Sequence, residues 1–262
     1  MRRYLRTMRM FWSASIAAEM EYRANFVMAV FASLMTLGGT VLTLSVLYQH
    51  DYQMGQWTWP QALIVVAVYT ILDGFQTSLL APNRTRITEL VREGTLDFVL
   101  LKPIDTQFWL SVRMLSLWGL PNVGLGIAML IYAGRKVSPP LTLLDYLAGL
   151  VPLALGIVVL YSIGYILSTL TIWFVKLFNI TMAMQALLES GRYPICAYPV
   201  AYRVFFTFVL PVAFMTTVPA QTMVGKGGME WVLGSAVTAA VLFLLSRWFW
   251  RFALRYYTSA SS

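Results

Sequence analysis

The sequence has one cysteine, Cys196, and one histidine, His50. That excludes a disulfide framework within the chain and a Cys/His metal cluster. A lone thiol beside an apolar segment reads as packing. With His50 as the single histidine there is no H-E-x-x-H pair and no plausible Ser/His/Asp set. A G-x-x-x-x-G-K-[ST] loop is also missing, since Gly225-Lys226 lacks the upstream glycine at the required spacing. The chain is therefore not expected to hydrolyse nucleotide itself. Charge is scarce too: 11% of residues are charged, against roughly 25% in soluble domains. Hydrophobic residues make up 59%, and mean hydropathy is +0.69. This is the composition of an integral membrane protein. The net charge of +8 does not point to nucleic acid. The basic residues flank apolar runs, where they set topology and meet lipid headgroups.

What is present is a series of apolar runs with short polar breaks. Residues 1–25 fit an amphipathic interface helix. Arg2, Arg6, Arg9 and Ser13 share one face, and Leu5, Met8, Trp12 and Ile16 another. Spans are expected at 26–48, 57–80, 114–132, 146–172 and 230–250, each near the ~20 residues a crossing helix needs. Gly38 and Gly39 lie mid-span and would permit close helix packing. Asp73 lies late in the second span and reads as bonded to a neighbouring helix near the headgroups. Pro121 and Asn122 fall inside the third span, where the proline is expected to kink it.

The longest charged segment between two apolar runs is 82–106. It carries Arg84, Arg86, Glu89, Arg92, Glu93, Asp97 and Lys102 with Leu90, Val91, Leu96 and Phe98 interleaved. Asn83 reads as a helix cap after Pro82, Gly94 as a helix stop, and Thr95 as the next cap. Lys102-Pro103 should end that second helix. Two short helices lying along the membrane surface are expected, with apolar residues that need something to bury against. Such a loop suits presentation to a soluble partner.

The region 175–224 allows two readings. Hydropathy selects 204–224 as the fifth span, although Pro211 and Pro219 cut it into short pieces. The alternative makes 177–192 the fifth span and 198–224 a re-entrant hairpin, backbone that is allowed at membrane depth only where protein or a wet cavity surrounds it. Asn179, Thr181, Gln185 and Glu189 are costly for lipid. They would line a pathway or subunit interface in one reading, and the wet face of an interfacial helix in the other. Either way six spans result. Most basic residues then lie inside with both termini, and Arg135, Lys136 and Lys226 outside, joined by Arg192 and Arg203 in the re-entrant reading.

Several motifs resemble the permease subunits of type-2 ATP-binding-cassette transporters, in their bacterial six-span branch. They are Arg92-x-Gly94-x-Leu96-Asp97, Lys102-Pro103, Gly191-Arg192-Tyr193-Pro194, Tyr198-Pro199, Leu210-Pro211, Val218-Pro219-Ala220 and the Tyr256-Tyr257-Thr258-Ser259 tail. The resemblance covers nearly the whole chain. It implies one all-α transmembrane domain, 1–262, with a re-entrant helical hairpin before the last span. It implies a second permease copy or paralogue, and cytosolic ATPase subunits that carry the ATP and Mg. They would grip a coupling loop comprising Arg84, Arg86, Glu89, Arg92, Glu93, Gly94, Leu96, Asp97, Lys102 and Pro103. It implies no cofactor or metal in this chain, a bacterial plasma (inner) membrane location, and export of lipids, glycans or amphiphilic drugs. Competing readings are a scaffold recruiting another cytosolic partner through 82–106, and a lipid-modifying membrane enzyme. The latter would need carboxylates or histidines clustered at one depth, and none are evident.

Overall fold

The computed structural model describes residues 2–50, 54–174 and 180–257. Helix α1 (Arg2–Glu19) leads into α2 (Arg23–Gln49). Helix α3 (Trp59–Phe75) passes through a π-helical segment (Gln76–Leu80) into α4 (Ala81–Arg92). Short helices α5 (Asp97–Leu100) and α6 (Thr106–Val112) follow, then α7 (Leu120–Lys136) and α8 (Leu143–Thr169). The last part holds α9 (Ile180–Glu189), α10 (Val200–Val204), α11 (Val212–Met215), α12 (Thr217–Met223) and α13 (Met229–Ala253).

Among the described residues, five helices are long and apolar enough to cross a membrane: Ala24–Gln49, Trp59–Arg92, Leu117–Lys136, Leu143–Ile172 and Met229–Ala253. The expected span at 177–192 begins in residues outside those described. Its described helix, α9, rises only about 15 Å at 1.5 Å per residue. That is half of a ~30 Å hydrocarbon core. Residues 200–223 form two helical arms, Val200–Val209 and α11–α12, that turn at Leu210-Pro211.

The rod Trp59–Arg92 is the axis of the bundle. Most of it is buried, and α7 packs along it through small residues. A Cβ at Gly74 would meet the Gly119 carbonyl at 2.7 Å, and one at Gly126 would meet the Ile71 amide at 2.9 Å. Glycine at these positions lets the two helices approach at backbone distance. On the other side, α8 packs on α11, α12 and α13. Gly156 there faces the Met215 backbone at 3.0 Å.

Three expectations need correction. Asn83 does not cap a new surface helix, because the second span runs on without a break to Arg92. Pro82 has no N–H for the Ser78 carbonyl, and that carbonyl accepts from the Ser116 N–H instead, at 2.8 Å. Asn83 then clamps the returning chain: Nδ2 donates to the Leu79 and Met114 carbonyls (2.7 and 2.8 Å), and Oδ1 accepts from Met114 N–H (2.9 Å). Pro121 does not kink the third span. It stands in the first turn of α7, where helical N–H groups have no intrahelical partner to lose. Gly38 and Gly39 make no close helix contact among the described residues, since none of them lies within 4 Å of a Cβ built on either.

Candidate coupling platform and embedded polar cluster

At one end of the bundle, α4, α5 and α6 build a platform with its own core. Ile87, Leu90, Leu96, Val99, Trp109 and Leu110 are buried together with Tyr165 of α8 and Trp250 of α13. This is what Leu90, Val91, Leu96 and Leu100 bury against, while Phe98 does not join it. The turn between α4 and α5 is a Schellman arrangement. Gly94 has φ +67, the Thr95 N–H reaches the Leu90 carbonyl at 2.9 Å, and the Gly94 N–H reaches Val91 at 3.2 Å. Glycine takes that left-handed conformation without the strain a Cβ brings. Thr95 does not act as the next cap, because its hydroxyl has no partner among the described residues. Asp105 caps α6, accepting from Phe108 N–H at 2.9 Å.

Both ends of the chain bind this platform. Trp12 of α1 donates to the Val112 carbonyl at 3.0 Å. Phe11 meets Trp109 edge-on at 5.7 Å between ring centroids, while the cations of Lys102 and Arg113 lie 5.0 and 4.4 Å from the same ring. From α13, Arg247 reaches Asp105 at 2.6 Å. Burial tends to raise the Asp105 carboxyl. Hydrogen bonds from Arg247 and Phe108 N–H, with the charges of Arg247 and Arg251, outweigh it and hold the group below the usual carboxylate range.

The sequence-selected coupling residues separate into two sets. Arg92, Glu93, Lys102 and Pro103 are exposed, and Gly94 and Asp97 are half-buried beside them. Arg86 and Glu89 pair with each other at 3.0 Å on the flank of α4. Arg84, at 5% exposure, and Leu96, at 0%, are interior residues. Neither is available to a docked partner in this arrangement, and Leu96 belongs to the platform core. Two residues outside that list are displayed instead: Phe98 is 70% exposed and Leu101 81%. Their neighbours Leu96 and Val99 turn inward, so the helical phase of 96–101 was the signal for the outward pair.

A second polar group lies within the bundle. Asp73 accepts from Asn122 of α7 at 2.6 Å, the interhelical bond anticipated for it. Arg192 donates to the Tyr69 hydroxyl at 3.0 Å and to Thr40 of α2 at 3.4 Å, and stands 3.6 Å from Glu189. Tyr69 is about 15 Å along the rod from Trp59 at 1.5 Å per residue. Arg192 therefore reaches well inside the bundle, where the re-entrant reading had placed it at the outer end of the 177–192 span. Met184, Leu187 and Leu188 of α9 are buried, while Thr181, Gln185 and Glu189 share the open face. Asn179, grouped with them from the sequence, lies outside the described residues. From the sequence Arg192 was read only within the Gly191-Arg192-Tyr193-Pro194 motif and as a topology residue, because Tyr69 and Thr40 are distant in sequence. Among the described residues no group of three His, Cys, Asp or Glu side chains could hold a metal.

A helical bundle with long apolar rods, a built platform at one end and an embedded ion cluster defines a polytopic membrane protein. The chain belongs to the ABC-2 family of transporter proteins, whose model matches residues 34–261. It is thus a membrane permease subunit of an ABC transporter, and the family implies an ABC ATPase as its partner. No curated protein sequence matches the chain.

Proposed function

We propose that this permease exports a lipid, glycan or other amphiphilic compound from a bacterial cytoplasm across the plasma membrane. ATP hydrolysis takes place on ATPase subunits docked at the 82–106 platform, and this chain carries no catalysis of its own. The observation that carries this reading is the exposed pair Phe98 and Leu101, framed by Arg92, Glu93 and Lys102, on a platform with a separate core. An apolar knob ringed by both signs of charge suits a protein partner. Both termini and the platform lie on the cytosolic side in this reading, which the distribution of basic residues supports.

The continuous rod supplies the coupling. It is about 50 Å long at 1.5 Å per residue, so a pull on α4 moves α3 through the bundle. Tyr69, on the rod itself, passes that motion to Arg192 and through it to Glu189. The open face of α9 and the uncovered apolar face of α2 form the contact with a second permease copy or paralogue, and the pathway runs between the two. The arms at 200–209 and 212–223 re-enter the membrane beside it, flanking an open apolar pocket of ~440 Å³ lined by Val204, Phe208, Val218 and Trp231.

The test is affinity purification from the native membrane in mild detergent, with wild type beside the double variant Phe98→Asp, Leu101→Asp. The expected result is an ATPase with a phosphate-binding loop that accompanies the wild type and is depleted at least tenfold with the variant. Equal recovery with both overturns the docking site, and no ATPase with either overturns the coupling reading. Cysteine labelling at Gln185, in a Cys196→Ser background, tests the pathway. Reaction from the cytosolic side alone would count against it.

A further inference from the structure

The open pocket between the two arms and the start of α13 holds ~440 Å³, within the roughly 300–1,000 Å³ of small-ligand sites. Ala213 and Val218 form its buried floor, and Val204, Phe208 and Trp231 its partly exposed sides. The hydroxyls and the thiol that border it are engaged with backbone. Thr207 donates to the Arg203 carbonyl at 2.7 Å, Thr217 accepts from the Ile195 N–H at 3.2 Å, and Cys196 Sγ donates to the Met54 carbonyl at 3.3 Å. What remains is an apolar wall with two uncommitted side chains, Arg203 and Gln221. Neither has a hydrogen-bond or ion-pair partner among the described residues. Arg203 is exposed, so its charge stands at the rim.

The position of the pocket says what can enter it. Trp231 stands about 24 Å along α13 from Arg247 at 1.5 Å per residue, and Arg247 is tied to the platform through Asp105. The pocket therefore opens in the half of the bundle away from the platform. Around its mouth Val200, Phe208 and Val209 are 65%, 74% and 63% exposed, an apolar patch of the kind that faces lipid. Filling such a wall with water is unfavourable, and a hydrocarbon chain from the adjoining leaflet removes that surface from water. A chain lying there brings its headgroup to the rim, beside Arg203. Among the described residues none that lines the pocket carries a carboxylate. The rim charge is thus uncompensated, and an acidic headgroup gains more there than a zwitterionic one.

We propose that this pocket holds one acyl chain of an acidic phospholipid from the leaflet opposite the platform, with the lipid phosphate on Arg203. The chain wedges the two arms against α13. The site rests on the re-entrant placement of the arms, and not on export or on ATPase docking. The test uses the full chain in nanodiscs of phosphatidylcholine, alone or with phosphatidylglycerol as a minority component. Lipid retained on release, counted by native mass spectrometry, should be enriched in phosphatidylglycerol about fivefold over its share, the preference that one arginine at a membrane surface gives an acidic lipid. Arg203→Gln should fold as wild type, since the residue is exposed and unpaired, and should remove the enrichment. Cys196 is the single thiol and borders the pocket, so its reaction with a maleimide locates the lipid. Phosphatidylglycerol should slow that reaction in wild type and not in Arg203→Gln. Enrichment that survives Arg203→Gln, or a Cys196 rate indifferent to phosphatidylglycerol, overturns the proposal. So does protection of Cys196 by soluble glycerol phosphate, which would make this an aqueous anion site. A benzophenone side chain in place of Phe208 separates the two levels of failure. Crosslinking to lipid without any phosphatidylglycerol preference overturns the site and leaves the re-entrant arms standing, and no lipid crosslink overturns both.

Discussion

Arg247 Nη2 lies 2.6 Å from Asp105 Oδ2, so the last long helix is tied to the residue that caps the last platform helix. Asp105 does two jobs, and substitutions can separate them. Asp105→Asn keeps an oxygen for the Phe108 N–H but loses the ion pair. Asp105→Ala loses both, and should cost about 1 kcal/mol more, the usual worth of an N-cap. Each side chain is about one-third exposed, so the pair itself is worth about 1 kcal/mol or less. The folded carboxyl sits below its ordinary range. Its contribution is therefore fully present above the unfolded value and is lost as pH falls through the folded one. Melting curves of wild type and Asp105→Asn should converge on acidification through that window. A gap that persists at low pH would show that the charge is not what stabilises.

Phe98 and Leu101 should be dispensable for folding and required for assembly. They are outside the platform core, so replacing either with serine should shift Tm by less than about 2 °C. Leu96, one turn away and fully buried, should behave in the opposite way. Leu96→Ala should cost about 2–5 kcal/mol and weaken assembly by loosening the whole platform. Measuring Tm and ATPase recovery on the same preparations separates a docking residue from a core residue. Loss of stability in Phe98→Ser would remove the distinction.

Gly94 offers a test of the turn. At φ +67 an alanine Cβ costs about 1–2 kcal/mol, and asparagine less, because it tolerates the left-handed region. Gly94→Ala should therefore be less stable than Gly94→Asn, with ATPase stimulation falling in the same order. Equal melting of the two would mean that the turn rearranges freely and does not set the angle between α4 and α5.

Much of this arrangement was readable from residue patterns. Low charge and long apolar runs placed four of the five long helices within a few residues, the second running twelve residues past its expected end to Arg92, and Gly94 was legible as a stop because its conformation is a local property. What escaped depends on partners far apart in the chain. Pro82-Asn83 has the look of a break followed by a cap. It is instead a place where a freed carbonyl and an amide side chain receive the backbone at Met114 and Ser116. Arg84 has the sequence signature of a surface cation, and its burial follows from Gly164 in another helix. Arg192 looked like a topology determinant until Tyr69 and Thr40 came within reach. In each case the deciding contact spans tens of residues, which periodicity and capping rules cannot see.

The Arg192–Tyr69 bond gives the last prediction. The donor comes from the segment after α9 and the acceptor from the central rod, so the bond joins the open face to the element that carries coupling motion. Tyr69→Phe removes the acceptor while keeping the ring beneath the guanidinium, whose Cζ is 5.0 Å from its centroid. Arg192→Met removes the donor and leaves Glu189 without its 3.6 Å partner. Within a low-dielectric bundle the two substitutions should be non-additive by about 1–2 kcal/mol in stability, the double variant losing less than the sum. Both single variants should still recruit the ATPase, because the platform core is a separate cluster. Additive melting shifts would mean that Arg192 is held by its cation–π contact and Thr40 alone. Loss of ATPase recovery in Tyr69→Phe would mean that the rod transmits changes at mid-depth to the platform even without nucleotide.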